Sequence, residues 1–156
     1  MVPNIPYGWQ PIGGQVTVRS SKERVINLFG LLSPSGKLRC YATKGSINSD
    51  YIIECLDEVA DEITGNTVIV MDNAPWHTAA KIKEKQREWE ERGLFLFFLP
   101  VYSPHLNLIE TLWRKIKYEW LRPWHYRDAD TLRQAVFNII QKYDVEFCIN
   151  FSKNFS

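Results

Sequence analysis

Val68-Ile69-Val70-Met71-Asp72-Asn73-Ala74-Pro75-Trp76-His77 is the stretch on which the reading of this chain turns. Its first four residues are apolar and three of them are β-branched, the pattern of a short strand buried on both faces. Asp72 closes that run. A carboxylate there sits on a fixed backbone at the carboxyl end of a strand, where open α/β sheets form their binding crevice. Spacing alone leaves a second role open, since an Asp before Asn also turns a chain or caps a helix.

Upstream, Asn48 or Ser49 can cap a helix carrying Ile52, Leu56, Val59 or Ala60, and Ile63 on one stripe, with Gly65 just past its end. Before that, Arg24 to Leu32 is apolar and β-prone, and Ser33-Pro34-Ser35-Gly36 has Pro and Gly placed for a type I turn. Lys37 to Lys44 then alternates, with Leu38, Cys40 and Ala42 on one face, so an antiparallel hairpin is predicted. Residues 1–23 are punctuated by Pro3, Pro6, Pro11, Gly8, Gly13 and Gly14, with room for a short strand at Gln15 to Arg19.

Downstream, His77 to Arg92 is a charged, exposed helix anchored by Ala79, Ile82 and Trp89 and closed by Gly93. Leu94 to Leu99 reads as another fully buried strand, stopped by Pro100. Leu108 to Arg122 aligns Ile109, Leu112, Trp113, Ile116 and Trp120 on one helical face, and a last helix over about Thr131 to Tyr143 aligns Leu132, Ala135, Val136, Ile139 and Ile140. A hairpin followed by strand-helix-strand units predicts an α/β fold in one domain spanning 1–156, with a mixed sheet flanked by helices.

Composition bounds the function. The 156 residues suit one domain, and 45% hydrophobic against 24% charged residues excludes an intrinsically disordered chain. A net charge of +1 excludes a globally basic nucleic-acid binder and leaves only a local basic surface. Cys40, Cys55 and Cys148 are scattered, without CxxC spacing, and read as buried, reduced thiols of a cytoplasmic protein. The longest apolar run, Leu94 to Leu99, is far short of the ~20 residues a membrane span needs. No secretory signal is visible at the N-terminus.

A second chemical segment is Leu99-Pro100-Val101-Tyr102-Ser103-Pro104-His105-Leu106-Asn107-Leu108-Ile109-Glu110, leading to Leu112-Trp113. A Glu in the first turn of a helix, after a stiff Pro-containing loop, can be aimed at Asp72. Two oxygen donors so held suit Mg²⁺ or Mn²⁺, which keep several waters and need few protein ligands. Spacing alone favours the other reading, in which Glu110 is the reciprocal partner of an Asn107 N-cap. His77, His105 and His125 lack zinc-like spacing. Arg114, Lys115, Lys117, Arg122 and Arg127 cluster, and Glu110, Arg114 and Lys117 share a helix face, either as phosphate contacts or as an ordinary solvated surface. Trp113 and Trp120 read as core.

Paired, the two segments resemble the DDE transposases, nearest to the mariner-like bacterial insertion-sequence group of the retroviral integrase superfamily. Tyr7-Gly8-Trp9, Gly13-Gly14 and Val25 to Gly30 are similar to the same domain, so the likeness covers nearly the whole chain. The resemblance implies a ribonuclease H-like fold, two divalent ions (Mg²⁺ or Mn²⁺), DNA as partner, and metal-dependent strand cleavage and transfer. It assigns Asp72 as the second catalytic acid and Glu110 as the third, with 37 residues between them, and gives Asn73, His77 and Asn107 orienting roles.

The chain departs from that family pattern in three places. His105 stands where the motif usually has Asp, and Leu108 where it usually has Pro. The first catalytic Asp has no counterpart, since no acidic residue precedes Glu23. The expectation is a catalytic domain lacking its first strand and impaired alone, acting as a homodimer or with the rest of a transposase. A non-catalytic DNA-binding or dimerisation fragment, and another ribonuclease H-like nuclease such as a junction-resolving enzyme, are the alternatives.

Overall fold

The computed structural model describes residues 26–74, 80–100, 103 and 106–149. Their order is β1 (Asn27–Leu32), β2 (Leu38–Thr43), α1 (Ser49–Glu62), β3 (Thr67–Met71), α2 (Ala80–Glu91), β4 (Leu94–Phe98), α3 (Leu108–Lys115) and α4 (Ala129–Gln141). The mixed α/β arrangement expected from the sequence is present. The expected strand at Gln15 to Arg19 lies outside the described residues.

β1 and β2 form the predicted hairpin, antiparallel from Leu32 opposite Leu38 to Asn27 opposite Thr43. Its turn closes through Gly36 N–H donating to Ser33 O at 2.9 Å, with Gly36 at φ +88°, a conformation that side-chain-bearing residues rarely adopt. β3 and β4 run parallel, from Thr67 beside Leu94 to Met71 beside Phe98. Among the described residues these are two separate two-stranded sheets.

α1 starts where its cap places it, with Asn48 accepting from Tyr51 N–H at 2.9 Å. It ends at Ile63, whose backbone is extended, so the chain leaves the helix two residues before Gly65. α2 closes at Gly93, which takes φ +88° and donates to Glu90 O. Its anchors Ile82 and Trp89 are buried, and the Trp89 indole N–H donates to Asp57 on α1 at 2.7 Å.

Two hydrophobic clusters divide the core, and the hairpin serves both. Phe29, Leu31 and Tyr41 face α1, α2, β3 and β4. Leu28, Leu32 and Leu38 face α3 and α4 through Leu112, Ile116, Leu132, Val136 and Ile139. The alternation of β1 residues between the clusters is the period-two signature of a strand with helices over both faces.

β3 and β4 behave otherwise, which corrects the expectation that both are buried on two sides. Ile69, Met71, Leu94 and Leu96 are buried, but Val68 is 61% exposed, Val70 46%, Phe95 37% and Phe97 57%. The helices α1 and α2 cover one face, while α3 and α4 are spent on the hairpin. The cysteines need a similar correction: Cys55 is buried, Cys40 partly so, and Cys148 exposed. Burial pushes the Cys40 thiol up to about 12 and Cys55 to about 11, which keeps both protonated at neutral pH.

The predicted helix over Leu108 to Arg122 is α-helical only to Lys115 and continues as a π turn, Ile116–Trp120. Leu121 N–H then donates to Ile116 O at 2.9 Å, and a 3₁₀ turn, Pro123–Tyr126, leads to α4.

The α4 cap is Asp128, three residues ahead of the helix cue at Thr131. Its carboxylate accepts from the Thr131 backbone N–H and hydroxyl, and these bonds, with Arg127, hold it well below the usual range at about 2. A depressed carboxyl contributes stability above its unfolded pKa and loses it as pH falls through the folded one. Asp128→Ala should lower the melting midpoint at pH 7 by about 2–4 °C, the size of a lost cap. The difference from the parent should fade between pH 4 and 2, as followed by circular dichroism. A difference that persists below pH 2 would rule out the carboxylate as its source.

Candidate active site

Asp72 follows β3 directly, and three hydrogen bonds fix it there. Leu99 N–H donates to Met71 O at 2.8 Å and extends the strand pairing past Phe98. The Asn73 amide donates to Leu99 O and ties the two strand ends together. Ala74 N–H donates to the Asp72 carboxylate at 3.1 Å. The local turn expected of an Asp here therefore exists, and it also orients the carboxylate.

Glu110 comes from the opposite side. Asn107 precedes α3 with an extended backbone and makes no side-chain cap bond, so the reciprocal Asn107–Glu110 cap does not form. Glu110 stands in the first helical turn, half-buried, and among the described residues nothing donates a hydrogen bond to its carboxylate. Burial pushes its pKa up, and the Asp72 charge pushes it further in the same direction. Asp72, Asn107 and Glu110 line one groove of about 180 Å³ between the β1 edge, the end of β3 and the start of α3. Gly30 and Trp113 also line it.

The structure thus brings together Asp72, Glu110 and Asn107, with Asn73 behind Asp72 as a strut. His77 and His105 lie outside the described residues. His125 lines neither the groove nor the cavity beside it, and its Nδ1 accepts from Arg122 N–H at 3.0 Å. Of the basic residues, Arg114 and Lys117 line a second cavity with Glu110. Lys115 is instead ion-paired to Glu119 at 2.8 Å, and Arg127 to Asp128 at 3.1 Å. Arg122 is exposed and lines neither cavity. Sequence reading missed Gly30 and Trp113 as walls of the groove. The only cue was a glycine inside a strand pattern, which marks a close approach of another element.

Among the described residues no group of three or more His, Cys, Asp or Glu converges. Two converging carboxylates nevertheless fit a hard divalent cation, which binds through one or two carboxylates, water and substrate phosphate. Mutual repulsion at Glu110 is the property such a cation would relieve.

A carboxylate at a strand end and one at a helix start thus line one groove, with Arg114 and Lys117 on the adjoining surface. Residues 2–133 match the DDE superfamily endonuclease family, and the chain belongs to it. The fold is accordingly the α/β, ribonuclease H-like one of that family. The chain is also 31% identical over 67 residues to "Uncharacterized protein y4pE/y4sA" of Sinorhizobium fredii, an alignment covering 43% of this chain and 45% of that protein. The aligned segment therefore spans less than half of that relative's length.

Proposed function

We propose that this chain is the strand-cleaving domain of a transposase, with Asp72 and Glu110 as its metal-binding carboxylates. The observation that carries the reading is their convergence on one groove despite 37 intervening residues. Mg²⁺ or Mn²⁺ held there would supply charge neutralisation at a phosphodiester and an activated water or 3′-hydroxyl. The protein's own part is positional. The Ala74 N–H and the Asn73 strut set the direction of Asp72, and the seating of α3 on β1 sets that of Glu110. Arg114 and Lys117 give the DNA backbone its contacts beside the acids. Lys115, engaged by Glu119, is a weaker candidate than its neighbours.

Two carboxylates are two of the three acids that the family resemblance implies for a two-ion site, so the chain alone is expected to cleave slowly. A second copy, or the rest of a transposase, would complete the reaction of cleavage followed by strand transfer. Its place would be the cytoplasm, where its thiols stay reduced. Among the described residues no helix is long and apolar enough to cross a membrane.

The test is a titration of the chain onto duplex DNA at stepped salt, with a parallel thermal melt in Mn²⁺. Binding should weaken steeply with salt, as phosphate contacts require, and Mn²⁺ should raise the melting midpoint. A chain that neither binds DNA at low salt nor responds to Mn²⁺ would remove the reading. Preference for branched over linear DNA would favour a junction-resolving nuclease.

A further inference from the structure

Alongside the carboxylate groove lies a larger cavity of about 340 Å³, in the size range of small-ligand sites. Glu110 and Trp113 line both, so the two spaces are adjoining parts of one surface along α3. The larger one has an apolar base at Leu28, aromatic walls at Trp113 and Tyr118, and cations at Arg114 and Lys117. Arg114, Lys117 and Tyr118 are spaced i, i+3 and i+4, which makes them neighbours on one helix face. The Lys117 ammonium sits 5.1 Å from the centre of the Tyr118 ring, a cation-π contact that steadies a ring still 50% exposed.

The charge state of this wall is uneven. Among the described residues neither Arg114 nor Lys117 is ion-paired, although Lys115 between them is matched to Glu119. Two cations unmatched among the described residues, beside the half-exposed Tyr118 ring and the partly buried Trp113, ask for a ligand that is both anionic and flat. Lys117 and Tyr118 stand on a π turn that continues α3, a local irregularity found frequently at functional sites.

We propose that this cavity takes one unpaired nucleotide of the DNA substrate, with the base against Tyr118 and Trp113 and its phosphate on Arg114 and Lys117. The assignment rests on the DNA-cleaving reading above and adds to it a preference for strands with an unpaired end. Bases within a duplex are stacked on their neighbours and cannot present a face to these rings. An unpaired base can, and any of the four suffices because each has a π-face. The nucleotide so held would lie next to Glu110.

The experiment uses the 156-residue chain in EDTA, so that no cleavage intervenes. Fluorescence anisotropy compares a blunt duplex with the same duplex carrying a three-nucleotide overhang. The overhang should bind about tenfold tighter, in line with stacking of a single base on an aromatic side chain. Tyr118→Ala should bring the ratio of the two affinities close to one, and Tyr118→Phe, which keeps the ring, should retain it. A 5-iodouracil placed in the overhang should photo-crosslink to Tyr118 or Trp113. Equal affinities for the two DNAs in the parent chain would overturn the nucleotide site and leave the DNA-cleaving reading standing. Failure to bind either DNA would overturn both. Retention of the overhang advantage by Tyr118→Ala, with crosslinks mapping elsewhere, would also overturn it.

Discussion

Glu110→Gln should weaken the Mn²⁺ response of this chain at least about tenfold and, without metal, make the protein more stable. The two effects have one origin. Glu110 is half-buried, has no hydrogen-bond donor among the described residues, and lies in the field of Asp72, and all three disfavour its charged form. The unfolded chain ionises near the ordinary value of 4.5, and the folded chain at a higher pH. Above the folded pKa the native state therefore carries a penalty that the unfolded state escapes. That penalty is relieved as pH falls through the folded pKa, and is gone below the unfolded one. The amide removes the charge at every pH. The variant should melt about 1–3 °C higher at pH 7.5, a fraction of a kcal/mol at this chain length, with the gain vanishing by pH 4. A cation does the same job in the parent, so losing the carboxylate should weaken Mn²⁺ binding by at least about tenfold, because ligand charge sets hard-cation affinity. Asp72→Asn should lose Mn²⁺ binding too. Its stability is harder to move, because its side-chain oxygen still accepts from Ala74 N–H. Thermal melts at both pH values with a Mn²⁺ titration decide the matter. A Glu110→Gln variant that binds Mn²⁺ like the parent, or melts lower at neutral pH, would detach Glu110 from the site.

Much of this was legible in the residues because local rules and the fold agree. The hairpin follows from Ser33-Pro34-Ser35-Gly36, and the start of α1 from Asn48. Burial of β3 and β4 was misread for a reason outside their own sequence. Val68-Ile69-Val70-Met71 is apolar throughout, yet what covers a sheet face is decided by other elements, and α3 and α4 pack on the hairpin. The π turn left no trace either. Ile116 and Trp120 continue the helical stripe, and only the bond from Leu121 N–H to Ile116 O shows the widened turn.

The site divides in the same way. Asp72 at a strand end was readable, but its meeting with Glu110 came from the family resemblance and not from spacing. Spacing favoured a capping role for Glu110 that the Asn107 side chain does not complete. Which basic residues are left for DNA was half-readable. Lys115 and Glu119 at i and i+4 announce their own pairing, and Arg114, Lys117 and Tyr118 at i, i+3 and i+4 announce a shared face, but the cavity beside them also needs Leu28 of β1, which no helical spacing reveals.

Gly30→Val should cost both stability and the site, because α3 makes its closest approach to β1 there. A Cβ built on Gly30 would stand 2.7 Å from Trp113 Cζ2, 2.9 Å from Ile109 Cδ1 and 3.0 Å from Trp113 Cη2. Real Cβ atoms essentially never come within 3.0 Å, so something must move. The indole is rigid and packed against the cluster around Leu112 and Ile116, which leaves the helix itself to shift. Ile109 and Trp113 flank Glu110 on that helix, so the displacement carries the carboxylate away from Asp72. Overpacking of this kind typically costs about 1–3 kcal/mol, or roughly 2–12 °C in melting midpoint at this chain length. Mn²⁺ affinity should fall with it. Gly30→Ala should do the same to a smaller degree. Combined with Trp113→Phe, which removes the outer part of the indole, it should recover stability relative to the sum of the single changes. A double-mutant cycle reads that coupling directly, and pairs in contact usually show at least about 0.5 kcal/mol. Additive losses would mean that Gly30 and Trp113 do not touch in solution. The seating of Glu110 would then have to come from the remaining α3 contacts at Leu112 and Ile116.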